Sequence, residues 1–215
     1  MILVNFKIYK QSFGSGAIEL AKIGKRVMEE TKVEIVPVVS ALDAVRVIRE
    51  IGVKVMLQSV DEYFEGAKTG YISPIQAKEL GIRGALINHS EHKIKPGTIK
   101  KMLKKWPEGF ESIVCVQTLG QSEAWAKKIK ATMVAYEPSY LIGSEDKSVS
   151  SEKPEVIRKM VEKYVPIKVI VGAGIKKATD VKTALEMGAK GVLVASRVVE
   201  DKDPYGRLLE LAKAF

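Results

Sequence analysis

The chain has 215 residues, 46% of them hydrophobic, and it contains no run of about 18 apolar residues that would predict a membrane span. Its formal net charge of +9 is compatible with an anionic partner, but the lysines are spread over the whole chain, which argues against nucleic acid. The single cysteine, Cys115, allows no internal disulfide and lies in an apolar run, so we expect a buried thiol in a cytoplasmic protein.

Short apolar segments rich in valine and isoleucine recur along the chain, which is typical of strands buried on both faces of a parallel sheet. The predicted strands are Ile2–Phe6, Glu34–Val39, Lys54–Gln58, Gly84–Asn88, Ser112–Val116, Ala131–Tyr136, Lys168–Val171 and Gly191–Val194. Between them lie segments with the periodicity of amphipathic helices. The predicted helices are Ala17–Glu30, Ala41–Ile51, Pro74–Leu80, Thr98–Lys105, Ser122–Lys130, Pro154–Tyr164, Thr179–Met187 and Pro204–Ala214.

Capping residues support several of these boundaries. Ser40 and Ser73 stand where two helices begin, as N-caps. Gly52, Gly81 and Gly188 follow three helices, where a left-handed residue is needed. Eight strands therefore alternate strictly with eight helices, and no proline- or serine-rich linker divides them. The pattern predicts an α/β fold with parallel strands, either a closed eightfold barrel or an open doubly wound sheet, and eight units favour the barrel.

In such a barrel, functional residues are expected on the loops that follow the strands. Glu137 comes directly after the sixth strand and before Pro138, which ends the strand and keeps the glutamate extended. Lys7 follows the first strand and His89 follows the fourth, so all three side chains are predicted on one rim. Together they form a set suited to proton transfer. The carboxylate can remove a proton from carbon, the imidazole can polarise a carbonyl, and the cation can stabilise negative charge.

Two turns of small residues, Gly172–Gly174 and Ala195–Ser196, follow the seventh and eighth strands. Barrels commonly bind phosphate there through backbone N–H groups. The glycines alone do not complete a dinucleotide fingerprint. His89 and His92 lack a carboxylate at the usual helical spacing of metal ligands, so no metal site is predicted.

Several motifs together resemble the triosephosphate isomerase family, in particular its short archaeal branch. They are Asn5-Phe6-Lys7, Asn88-His89-Ser90-Glu91, Ala135-Tyr136-Glu137-Pro138 with Ile142-Gly143, and Gly172-Ala173-Gly174. The resemblance covers the whole chain and implies a (β/α)8 TIM barrel over residues 1–215 as a single domain. It also implies interconversion of glyceraldehyde 3-phosphate and dihydroxyacetone phosphate through an enediolate, without any metal or organic cofactor.

The resemblance also implies a role for each matching residue. Glu137 would be the base, and His89 would be a neutral electrophile that moves protons between the two substrate oxygens. Lys7, supported by Asn5, would stabilise the enediolate and the phosphate, and Glu91 would be a carboxylate behind these residues. The substrate and its phosphate would be lined by Ile142, Gly143, Gly174, Ala195 and Ser196.

The long loop Ser59–Gly70 resembles the interlocking loop of the family, which reaches into a neighbouring subunit, with Thr69 near its tip. A homodimer or homotetramer is therefore expected. The loop begins at Gln58-Ser59, where the family often has a histidine or an asparagine. After the eighth strand, Arg197 replaces a glycine and would either clamp phosphate or point to solvent.

The polar segment after Gly143 departs most from the family. Ser144–Lys147 follows instead of a second glycine, and we expect a lid with hinges at Pro138–Ile142 and Ser148–Ser151 that is open without ligand. Two other functions remain compatible with the sequence. One is a different sugar-phosphate barrel enzyme, as in histidine or tryptophan biosynthesis, and the other is a non-catalytic barrel that binds anions or nucleic acid.

Overall fold

A computed structural model of the protein describes residues 1–121, 130–138, 148–172 and 174–215. Its strands form one closed barrel in chain order, all parallel, with the first strand paired to the last. They are β1 Ile2–Asn5, β2 Ile35–Val39, β3 Met56–Leu57, β4 Gly84–Ile87, β5 Glu111–Val116, β6 Met133–Tyr136, β7 Lys168–Val171 and β8 Gly191–Val194. The closed barrel is thus confirmed over the open sheet.

Helices surround the barrel. Those described are α1 Ser15–Thr31, α2 Ala41–Ile51, α3 Pro74–Glu79, α4 Pro96–Lys104, α5 Val149–Glu152, α6 Pro154–Tyr164, α7 Ala178–Glu186, α8 Ser196–Val199 and α9 Pro204–Ala212. None of them is both long and apolar enough to cross a membrane. The predicted helix Ser122–Lys130 lies almost entirely outside the described residues.

The predicted caps at Ser40 and Ser73 are confirmed. The Ser40 hydroxyl accepts a hydrogen bond from the backbone of Leu42, and Ser73 accepts from the backbone of Ile75 and Gln76. The short helices α5 and α8 were not predicted, because four residues are too few to show a helical period.

Several predicted boundaries were wrong by a few residues, for local reasons. Strand β6 begins at Met133, not Ala131, because hydroxyls replace the backbone ladder at its start: Thr132 N–H donates to Ser112 Oγ at 3.0 Å, and Ser112 N–H donates to Thr132 Oγ1 at 3.1 Å. Helix α4 begins two residues early because Pro96 occupies its first position, where proline fits well.

Alternate strand residues fill the inside of the barrel. This inner core consists of Leu3, Val36, Val38, Met56, Leu86, Ile113, Cys115, Met133, Ala135, Ile170 and Leu193. Because strand side chains alternate, the next inward position on each strand comes two residues later. Those positions are Asn5 after Leu3, Asn88 after Leu86, Gln117 after Cys115 and Glu137 after Ala135. The packing of the inner core therefore aims these polar side chains at one mouth of the barrel.

Candidate active site

The turn after β1 holds Lys7 in an unusual backbone conformation. Its φ angle is 50°, in the left-handed region that costs a non-glycine residue roughly 1 kcal/mol or more. Two polar side chains stabilise this turn. Asn5 Oδ1 accepts a hydrogen bond from the Lys7 N–H at 3.1 Å, and Gln58 Nε2 donates to the Lys7 carbonyl at 2.8 Å. The lysine side chain therefore leaves the first strand in a fixed direction.

Asn88 organises the loop after β4 in a similar way. It too is left-handed, with φ 63°. Its Nδ2 donates to the Cys115 carbonyl at 3.0 Å, and its Oδ1 accepts from the Ile94 N–H at 3.0 Å. The side chain thus joins the loop to the neighbouring strand β5 and sets the position of the next residue, His89.

The tautomer of His89 is determined by the hydrogen bond that its Nδ1 atom accepts. The backbone N–H of Glu91 donates to Nδ1 at 3.2 Å, so Nδ1 is an acceptor and the proton of the neutral ring lies on Nε2. His89 Nε2 is 3.5 Å from Glu137 Oε1. The ring therefore presents an N–H donor beside the carboxylate.

Glu137 is a buried carboxylate, with 5% of the residue exposed. Its backbone N–H donates to the Val116 carbonyl at 2.9 Å, which extends the β5–β6 ladder by one residue. Among the described residues, none forms a hydrogen bond with Glu137 Oε2. That oxygen keeps its lone pairs available to accept a proton.

Lys7 and Glu91 form an ion pair, with 2.6 Å between Nζ and Oε1. Burial alone would lower the pKa of Lys7, but the hydrogen bond and charge of Glu91, with smaller contributions from Tyr9 and Glu137, raise it above its ordinary value of 10.5. Glu91 Oε2 also lies 3.7 Å from His89 Nδ1. A continuous row of contacts thus runs from the lysine through Glu91 and the imidazole to Glu137.

A known protein family matches the whole chain. The family model described as triosephosphate isomerase matches residues 1–215. The chain belongs to the triosephosphate isomerase family.

Curated archaeal relatives named triosephosphate isomerase match almost end to end. The chain is 38% identical to the protein of Metallosphaera sedula over 214 residues, which cover 98% of this chain and 93% of the relative. It is 40% identical to that of Methanothermus fervidus, covering 98% and 96%. Identity to that of Methanocaldococcus jannaschii is 36%, covering 99% of both chains.

The remaining residues that the resemblance to triosephosphate isomerases singled out lie on the same rim or outside the described residues. Gly174 follows β7 with a left-handed φ of 77° and is partly buried. Ala195 and Ser196, also partly buried, follow β8. Arg197 is exposed in α8, and its two alternatives stay open. Ile142 and Gly143 lie outside the described residues, as do the lid residues between them and Lys147.

The predicted C-terminal hinge of the lid, Ser148–Ser151, lies where residues 149–152 form helix α5. The cause is the Ser148 hydroxyl, which accepts a hydrogen bond from the Ser151 N–H at 2.9 Å and so caps this turn. A hinge at this point remains a prediction.

Sequence reasoning missed the contacts that three residues make with the candidate site or its loops. Gln58 was noted only as a departure in the third loop, yet it binds the Lys7 turn. Gly172 was interpreted as part of a phosphate turn, yet it lies against Glu137: a Cβ built there would be 2.9 Å from Glu137 Cγ. Asp180 carried no motif, and only its position near the start of α7 could have drawn attention to it.

Cys115 is fully buried, as predicted. Burial, and then the negative charge of the neighbouring Glu137, raise the pKa of its thiol well above the usual value. Cys115 therefore stays protonated and contributes to the inner core below the site.

Proposed function

We propose that this protein interconverts glyceraldehyde 3-phosphate and dihydroxyacetone phosphate. The observation that carries the proposal is the buried pair formed by His89 Nε2 and Glu137 Oε1, 3.5 Å apart, with the Lys7–Glu91 ion pair beside it. Membership of the triosephosphate isomerase family supports the choice of substrate.

The proposed mechanism is a proton transfer through an enediolate. Glu137 removes the proton alpha to the substrate carbonyl, and its Oε2, which forms no hydrogen bond with any described residue, is suited to that step. The Nε2–H of His89 polarises the carbonyl and then moves protons between the two oxygens. Lys7 stabilises the negative charge that develops. Acid–base chemistry alone completes the reaction, so the proposal includes no metal or organic cofactor.

Phosphate binding is proposed for the loops after β7 and β8. Gly174, Ala195 and Ser196 provide small residues with backbone N–H groups at these strand ends. We assign Ile142 and Gly143 to the same role on the resemblance alone.

A coupled assay of triose-phosphate isomerisation tests the proposal. Glu137→Gln should abolish turnover, because an amide cannot accept the proton. Glu137→Asp should lower kcat by roughly two to three orders of magnitude with a smaller change in KM, because the carboxylate recedes by one methylene. Glu79, exposed on α3, provides the control: Glu79→Asp should leave both constants unchanged. Full activity in Glu137→Gln would refute the assignment of the base.

We also propose a homo-oligomer in the cytoplasm. Three large apolar side chains are exposed after β1 and β2: Ile8 and Phe13 before α1, 82% and 51% exposed, and Leu42 in the first turn of α2, 92% exposed. The loop after β3 is preorganised to reach a partner, since Asp61 Oδ2 accepts a hydrogen bond from the Ile72 N–H at 2.7 Å. Leu42→Asp should shift the mass measured by light scattering towards the monomer, and an unchanged mass would remove this surface from the interface.

A further inference from the structure

Asp180 is a buried carboxylate with three hydrogen bonds and no part in the proposed chemistry. It is the third residue of α7, and 4% of it is exposed. Its Oδ2 accepts from the backbone N–H groups of Lys176 and Lys177 at 3.0 and 3.2 Å. Its Oδ1 accepts from the Ser148 hydroxyl at 2.6 Å. One carboxylate thus holds two separate parts of the chain.

The first of these parts is the loop that carries a residue of the candidate active site. Lys176 and Lys177 end the loop that starts after β7 and contains Gly174, which is proposed to bind phosphate. Ser148 is 2% exposed and stands directly before α5. Because Ser148 Oγ also accepts from the Ser151 N–H, its direction is set from both sides. The carboxylate is therefore a rigid link between the β7–α7 loop and the start of α5.

Capping of α7 explains only half of this arrangement. A cap needs the two backbone N–H groups, whereas the contact with Ser148 spans 32 residues and lies outside the helix. Hydrogen bonds to a charged acceptor in a buried site are among the stronger ones, so this link constrains the loop more than a surface cap would.

We propose that Asp180 is a positioning residue for phosphate binding: by tying Ser148 to the loop that carries Gly174, it orders that loop before the ligand arrives. This inference rests on the proposed function, which places the phosphate at this loop. A loop that is already ordered spares the ligand the entropic cost of ordering it, so loss of the link should weaken phosphate binding more than it slows proton transfer.

The test measures KM for glyceraldehyde 3-phosphate, kcat, and the Kd of inorganic phosphate by calorimetry. Asp180→Ala and Ser148→Ala should each raise KM and the phosphate Kd, by about tenfold for the aspartate variant, with a smaller change in kcat. Asp180→Asn should restore most of the affinity. Its amide oxygen can accept from the loop, and its amide N–H can donate to Ser148 Oγ.

Asp43 offers a matched control. It too is the third residue of its helix, α2, it is 8% exposed, and its Oδ1 accepts from the Gly14 N–H at 3.0 Å. Asp43→Ala should lower the urea midpoint as Asp180→Ala does, without changing the phosphate Kd. If the two variants lose stability alike and both keep wild-type KM and Kd, Asp180 only caps its helix and the inference is wrong.

Ser148→Ala removes the link to Asp180 but keeps the α7 cap. It therefore tests the proposed link even if Asp180→Ala does not fold. An unchanged phosphate Kd in Ser148→Ala would overturn the proposed link. A wild-type protein that binds no phosphate would instead refute the proposed phosphate site. Turnover by Glu137→Gln would refute Glu137 as the base. It would not change what the phosphate Kd says about Asp180.

Discussion

Replacing Gly172 with alanine should displace the Glu137 carboxylate, the proposed base, while leaving the barrel intact. A Cβ at residue 172 would lie 2.9 Å from Cγ, 3.2 Å from Oε1 and 3.4 Å from Cδ of Glu137. Gly172 is not among the residues with positive φ, so its backbone accepts alanine without strain. All three nearest atoms belong to Glu137, which therefore has to move.

The size of the effect follows from these distances. Carbon atoms in contact prefer about 3.5–4.0 Å, so the side chain has to shift by roughly 0.6–1 Å. A misplacement of about 1 Å in a reacting group costs on the order of 100-fold in rate, or about 2.7 kcal/mol of transition-state stabilisation. We therefore expect kcat of Gly172→Ala to fall about 100-fold with little change in KM, because Gly174, Ala195 and Ser196, the proposed phosphate contacts, are unchanged.

Coupled kinetics and urea unfolding check this prediction together. The control is Gly97→Ala, on the exposed first turn of α4, where a Cβ would meet nothing within 4 Å. The close contact with Glu137 Cγ should also lower the urea midpoint of Gly172→Ala. In a Glu137→Ala background the Cγ is gone, so the same glycine substitution should not lower it. A Gly172→Ala variant with wild-type kcat, or one equally destabilised in both backgrounds, would show that this glycine does not set the position of the base.

Three further predictions concern charge and protonation. Lys7→Met should abolish turnover without unfolding the protein, and it should lower activity more than Arg197→Ala does. The opposite ranking in the coupled assay would place the essential cation after β8. Because the pKa of Lys7 is raised above 10.5, the stability that its pairing with Glu91 contributes is complete below pH 10.5 and declines as the pH rises through the folded-state pKa. The difference in unfolding free energy between wild type and Lys7→Met should therefore stay constant from pH 8 to about 10 and change only above that range. Cys115, buried and with a raised pKa, should resist iodoacetamide in the native state at pH 8 and react after unfolding; rapid native labelling would contradict its burial.

Local signals predicted the barrel because short apolar strands alternate with amphipathic helices, and serine caps or glycine stops mark several of the helix ends. Pro138 marked the end of β6 and so placed Glu137 at the carboxyl end of that strand. Lys7 and His89 were predicted on the same rim because they follow the first and fourth strands. These features depend on neighbours within a few residues, which a sequence displays directly.

Contacts between distant segments were not predictable in this way. The Lys7–Glu91 pair joins residues 84 positions apart, and the bond from Gln58 to the Lys7 carbonyl spans 51. Neither contact produces a repeating pattern in the sequence that could have predicted it. The left-handed conformation of Lys7 was equally hidden, because lysine has no preference for it and the surrounding hydrogen bonds impose it.

Pairing of β1 with β8 means that the barrel can close only after its last strand has been made. Ile2, Leu3 and Val4 pair with Val192, Leu193 and Val194. On the ribosome, β1 can pair with β2 as soon as both are made, but its other edge has no partner until β8 has been made. At roughly 5–20 residues per second, that edge stays open for on the order of ten seconds or longer. An unpaired edge can pair with strands of other chains, so the incomplete barrel is exposed to aggregation at β1 until β8 is added.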